Sequence, residues 1–265
     1  MSTTGPFDPA TPAPRAESTP ASPPLALRGL VRRFGKFTAV DGVSLEVRAG
    51  EIVGFLGPNG AGKTTSLRMA AGLLAPDAGE VEIAGHSLER SPLEARARIG
   101  FVPDRAYLYE RLTGYEFLEF VAALYQVPAD LATRRGAAIL ERFEMREAAH
   151  DPTETYSHGM RQKLAVTAAL LHEPMLLLLD EPLNGLDPLA ARSLKDLLRE
   201  HAARGGGILV STHLLDVVER LCDRVVILHH GRVVAAATLD ELRGAHHQAT
   251  LEDVFLELTR EAQAT

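Results

Sequence analysis

Eight residues decide most of what this chain can fold into. Gly57-Pro58-Asn59-Gly60-Ala61-Gly62-Lys63-Thr64 stand between a β-rich run at 51–56 and a stretch of helical spacing at 63–73. Glycines in such a turn let successive backbone N–H groups point inward around an anion. The helix that follows aims its positive end at the same point. Lys63 is placed to reach the β- and γ-phosphates of a nucleotide, and the Thr64 hydroxyl is placed to ligate Mg²⁺. A glycine-rich turn with a chance lysine is the plainer alternative. The strand before it and the helix after it favour the phosphate loop.

The rest of the chain continues the alternation. Strand-like stretches at 25–31, 43–47, 80–84, 99–102, 176–179, 208–211, 225–228 and 233–235 are interleaved with helical spacing at 113–125, 131–143, 159–171 and 188–201. That order implies an α/β fold with a largely parallel sheet. From about 107 to 156 there are helices without a strand, so a helical insertion is expected there. Residues 1–24 are rich in Pro, Ser, Thr and Ala and are expected to form a disordered tail.

Other broad classes are disfavoured. No run approaches the roughly 18 consecutive apolar residues of a spanning helix. The first residues lack the basic-then-apolar pattern of a signal peptide. A net charge of -7 argues against a general nucleic-acid binder. The single cysteine, Cys222, excludes an intrachain disulfide and suits a reducing compartment.

A second acidic site follows the apolar run Leu176-Leu177-Leu178-Leu179. Asp180 and Glu181 stand at its C-terminal end, where open α/β sheets bind ligands. Asp180 would hold magnesium, and Glu181 could polarise an attacking water as a general base. A buried strand with a solvated acidic cap is the bland reading, and the phosphate loop upstream makes it the lesser one.

With these motifs in hand, residues 25–236 resemble the nucleotide-binding subunit of ATP-binding-cassette transporters. Besides the phosphate loop and the Asp180-Glu181 pair, Tyr156-Ser157-His158-Gly159-Met160-Arg161-Gln162-Lys163 resembles the family signature. Asn184-Gly185-Leu186-Asp187 resembles the loop that carries the family's aspartate. Ser211-Thr212-His213 resembles its switch-histidine segment, and Phe34 takes the place of the adenine-stacking aromatic. The resemblance implies a P-loop NTPase with a mainly parallel core sheet, an antiparallel β subdomain, a helical subdomain at about 105–165 and a C-terminal helical tail at 237–265. It implies Glu181 and His213 as catalytic residues. It implies ATP contacts from Phe34, the whole loop Gly57–Thr64, Thr65, Asp104, Ser157, Gly159 and Asp187, and Mg²⁺ contacts from Thr64, Asp104 and Asp180. Ser157 and Gly159 would reach the γ-phosphate of ATP held by an opposite cassette. The implied partners are a second copy or a homologous cassette and a separate transmembrane permease, with no nucleic acid. The implied location is the cytoplasmic face of the membrane.

The departures are informative. His158 replaces the signature's first glycine and Met160 a common glutamine, a form that resembles bacterial exporter cassettes of the multidrug type. Asp104 stands where the family usually has glutamine, and Phe34 replaces a more usual tyrosine; stacking needs only the ring. Tyr107 and Tyr109 are candidates for a permease-facing groove, whereas Phe117, Phe120 and Tyr125 are expected to be local core. His229-His230 and His246-His247 are expected to be solvated turn residues. Leu251, Val254, Phe255 and Leu258 share one helical face, expected to pack on the domain or to stabilise a dimer. A soluble cassette ATPase in translation or repair is the competing reading. Against it stand the single phosphate loop and the absence of sustained heptads between Gly57 and Ser157. A non-enzymatic, nucleotide-gated regulator would need a damaged base, and Glu181 and His213 are both present.

Overall fold

The computed structural model describes residues 22–245 and 250–261. Most of the Pro-rich tail and the pair His246-His247 lie outside the described residues.

A six-stranded sheet runs through the centre, in the order β10-β9-β3-β8-β7-β6. Its strands are β3 (Ile52–Leu56), β6 (Ile99–Val102), β7 (Leu176–Asp180), β8 (Gly207–Thr212), β9 (Arg224–His229) and β10 (Arg232–Thr238). Five of these run parallel, and β10 pairs antiparallel with β9 at the edge. The parallel strands read as continuous apolar runs because both faces are covered. Alternate residues serve different cores: Val53, Phe55, Leu176, Leu178, Leu209 and Val226 pack on one side. Ile52, Leu56, Leu177, Leu179, Ile208 and Val210 pack on the other.

The first side is covered by helix α1 (Lys63–Ala70) and by an antiparallel sheet in the order β2-β1-β4-β5. That sheet comprises β1 (Leu25–Phe34), β2 (Phe37–Val47), β4 (Ala78–Ile83) and the two-residue β5 (His86–Ser87), followed by the short helix α2 (Pro92–Arg96). Strand β2 starts well before the expected residue 43. Asp41 and Gly42 break its alternation locally, and pairing with β1 carries the chain through them.

The second side is covered by α5 (His158–Leu170), α6 (Pro188–Ala203) and α7 (Leu215–Leu221). Between β6 and α5 come α3 (Gly114–Leu124), α4 (Ala129–Arg142) and two 3₁₀ turns at Ala148–His150 and Thr153–Thr155. Thr113 and Glu116 close a reciprocal capping box that fixes the start of α3. Seven residues are too few to show helical periodicity, which is why α7 has no clear sequence signal. Near the C-terminus, α8 (Leu239–Ala245) precedes α9 (Leu251–Glu261). Leu251 and Val254 of α9 are buried, with Phe255 and Leu258 packed on the same core, so this face lies on its own domain.

Candidate functional site

Strands β3, β8, β7 and β6 are neighbours, and their C-terminal ends open on one cavity of about 480 Å³. Each end delivers a different group. The phosphate loop follows β3, Asp180 and Glu181 close β7, His213 follows β8 and Asp104 follows β6. Phe34, Asn59, Gly60, Gly62, Lys63, Thr64, Thr65, Asp104, Asp180, Glu181 and His213 all line this cavity. Residues as far apart in sequence as Lys63 and His213, 150 positions, are thus brought together by the parallel order of the central strands.

Gly62 could be no other residue here. Its φ is +104°, and a Cβ would lie 2.4 Å from the Ala39 carbonyl oxygen. Lys63 is 7% exposed, and its ammonium donates to the carbonyls of Gly57 at 2.6 Å and Pro58 at 3.1 Å. Burial is the largest influence on Lys63 and pushes its pKa below the usual lysine value, while the carboxylates of Glu181 and Asp180 pull the other way. Asp180 is buried and accepts a 2.8 Å hydrogen bond from the Ser211 hydroxyl. Ser211 is therefore a site residue whose role the sequence did not reveal; its register partner across the sheet is Asp180 itself.

Glu181 has φ +48°, in the left-handed region that costs a non-glycine residue about 1 kcal/mol or more. Its amide N–H donates to the Ser211 carbonyl at 2.9 Å, which holds the strained turn. Its Oε1 lies 2.8 Å from Nδ1 of His213. The pair therefore stands at the mouth of the cavity, with the His213 side chain about half exposed. Asn184 Nδ2 donates to Asp104 Oδ1 at 3.5 Å, linking the segment after Glu181 to the end of β6.

Ser157, Gly159 and Asp187 do not line this cavity. Ser157 caps α5, its hydroxyl accepting from the Met160 N–H at 3.3 Å. Asp187 caps α6 at 2.8 Å from the Ala190 N–H and pairs with Lys163 at 3.2 Å. The hydrogen bond from Ala190 and then that from Lys163 hold its carboxyl below the usual range. Gly159 packs so tightly that a Cβ would lie 2.7 Å from the Gly185 carbonyl oxygen. Gln162 and Lys163 tie α5 to Pro182 and Asp187, a role not evident from their place in the signature.

A second groove, of about 350 Å³, opens between β6 and the helices α3 and α5. Phe101, Tyr107, Val121, Tyr125, Ala165 and His172 are among its walls. Tyr107 is 89% exposed. Phe117 is buried as expected, but Phe120 and Tyr125 are each 38% exposed. For Phe120 the helical period is the reason: Phe117, Leu118 and Ala122 take the core face of α3, and Phe120 falls opposite; Tyr125 stands just past the end of the helix. His229 also departs from expectation, being buried at the end of β9 rather than solvated in the turn.

Among the described residues no group of three His, Cys, Asp or Glu side chains is close enough to hold a metal by itself. Mg²⁺ in nucleotide sites is held through one or two carboxylates together with substrate phosphates. Thr64, Asp180 and Asp104 supply hard oxygen donors of the right kind in one cavity.

The family profile described as ABC transporter matches residues 40–184. The daunorubicin resistance ATP-binding protein DrrA3 of Streptomyces coeruleorubidus is 39% identical over 219 residues, which cover 83% of this chain and 69% of that protein. A solved ATP-binding subunit of an ABC transporter superposes with a TM-score of 0.85 at 37% identity, over 89% of this chain and 99% of the other. An ATP-binding cassette solved as a dimer in a post-hydrolysis state with ADP and Pi superposes with a TM-score of 0.74 at 26% identity, over 81% and 98%. The chain belongs to the ABC transporter family and is an ATP-binding, ATP-hydrolysing subunit of that kind.

Proposed function

We propose that this subunit energises a membrane exporter by closing on a second cassette around ATP and reopening after hydrolysis. The observation that carries the reading is the split of the motifs. The phosphate loop, Asp104, Asp180, Glu181 and His213 share one cavity, whereas Ser157 and Gly159 do not line it. Ser157 and Gly159 are left to serve ATP held by another copy, with the α5 N-terminus as the anion-facing element.

In this reading Lys63 and the loop N–H groups hold the β- and γ-phosphates, and Phe34 stacks on the base. Thr64, Asp180 and Asp104 hold Mg²⁺, which when bound neutralises phosphate charge. Glu181 takes a proton from the attacking water. His213 holds the Glu181 carboxylate in place through the 2.8 Å contact and senses the γ-phosphate. The groove at Tyr107 and Tyr125 receives an element of a separate transmembrane permease, since no helix among the described residues is long and apolar enough to cross a membrane. The subunit works on the cytoplasmic face. Export is favoured because a drug-resistance ATP-binding protein is among the relatives.

Glu181→Gln tests the composite site. The amide keeps the shape and loses the base, so the variant binds Mg-ATP, hydrolyses it at under about 1% of the wild-type rate and elutes as a dimer. A variant that binds ATP yet stays monomeric at high concentration refutes the two-cassette arrangement.

A further inference from the structure

The hairpin between β1 and β2 carries two large rings that the fold leaves uncovered. Phe34 is 47% exposed and Phe37 is 62% exposed. They are opposed in the antiparallel register, which puts both side chains on one face of the ribbon. Both line the cavity that holds Lys63 and Thr64. The hairpin's share of that lining is Phe34, Phe37 and Ala39, none with a hydrogen-bonding side chain.

One face of Phe34 is already taken. The Arg32 guanidinium carbon lies 5.0 Å from the ring centroid, within cation–π range. Arg32 is itself anchored: its Nη1 donates to Asp77 Oδ1 at 2.9 Å and to the Ala75 carbonyl at 3.0 Å. The other carboxylate oxygen of Asp77 accepts from the Arg33 N–H at 2.6 Å. The β1–β2 register shifts between Arg32 and Arg33. Such an irregularity re-aims the side chains that follow it. Asp77 therefore fastens both the irregular backbone before Phe34 and the cation behind its ring.

We propose that Phe37 is a second base-stacking residue beside Phe34, and that Asp77 is the positioning residue that sets this two-ring platform through Arg32 and the β1 irregularity. The ligand is the planar purine base of a nucleoside triphosphate, recognised by ring area and not by its hydrogen-bonding edge. This rests on the nucleotide reading of the cavity.

The test measures binding of ATP, GTP and inorganic tripolyphosphate to the full chain by calorimetry at fixed Mg²⁺. Phe37→Ala weakens ATP and GTP about 5- to 20-fold and leaves tripolyphosphate within about twofold, as loss of one stacking surface requires. Phe37→Leu, which keeps apolar bulk without the ring, weakens ATP too. Phe37 is exposed, so folding survives both substitutions, and thermal melts check it. Asp77→Asn raises KM for ATP severalfold while kcat at saturating ATP holds, and Asp77→Ala raises it further. Lys63→Ala is the control for the cavity and loses ATP and tripolyphosphate alike. If Lys63→Ala binds both ligands like wild type, the nucleotide reading itself falls. If Lys63→Ala loses both and Phe37→Ala keeps wild-type ATP affinity, the platform alone is overturned. A fall in kcat at unchanged KM for Asp77→Asn overturns the positioning role.

Discussion

Acid should destabilise this subunit through a histidine far from the nucleotide cavity. His201, in the last turn of α6, is 4% exposed, and its Nε2 has no hydrogen-bond partner. Its ring lies against Gly206, where an added Cβ would sit 2.1 Å from Nε2. Burial first, and then repulsion from Arg204 and His172, lowers its pKa from 6.5 to about 4. The folded chain therefore resists a proton that the unfolded chain accepts. The contribution is complete above about pH 6.5 and is lost as pH falls toward 4. Linkage gives about 2 kcal/mol lost to His201 between pH 7 and pH 5. His201→Leu removes both the unpartnered nitrogen and the titration. Guanidinium unfolding of the two proteins at pH 7, 6 and 5 reads the difference, because carboxylate contributions are common to both and cancel. The wild type should lose about 2 kcal/mol more than the variant over this span. Equal losses would refute the assignment of a buried, neutral His201.

Asp104→Asn keeps the side chain's size and removes a charge beside the proposed metal. We expect a shifted Mg²⁺ dependence of the ATPase rate and a larger loss of permease-stimulated than of basal activity; superimposable Mg²⁺ curves would reduce Asp104 to a local structural residue. Burial pushes the Cys222 thiol up to about 12, and the thiol packs against Gly54, where an added Cβ would lie 3.0 Å from Sγ. A thiol reagent at pH 8 should leave the native chain unlabelled over minutes and label it at once in guanidinium; prompt labelling of the native chain would contradict this.

The sequence revealed the central sheet well for a physical reason. Strands β3, β7, β8 and β9 are buried on both faces, so each is a short unbroken apolar run bounded by polar residues. Where stability comes from partners distant in sequence, the signal fades. The first half of β2 depends on pairing with β1, and Asp41 within it bonds to Arg232, 191 residues away. The same division runs through the site. Lys63, Asp180 and Glu181 sit in contiguous motifs and could be read directly. Ser211 and Asp77 act by reaching another strand, and no local pattern announces that. His229 sits next to a turn, and only the end of β9 decides which neighbour of the turn is buried.

The fastening of α5 has a mechanical consequence for the two-cassette reading. Gln162 donates to the Pro182 carbonyl at 3.4 Å, one residue beyond Glu181. Lys163 pairs with Asp187 at 3.2 Å, and Gly159 lies against the Gly185 carbonyl. All three ties run from the signature helix to the seven residues that follow β7, within one chain. The Lys163–Asp187 pair is open to solvent on its carboxylate side and contributes little by itself. The close approach at Gly159 is stiffer, because neither backbone can yield without breaking the cap of α5 or the turn at Gly185. These contacts tie the segment that carries Glu181 to the helix that carries Ser157. In a sandwich of two copies, a shift of Ser157 toward the partner's ATP would carry Glu181 with it relative to the chain's own ATP, which links the two sites without any further contact between them.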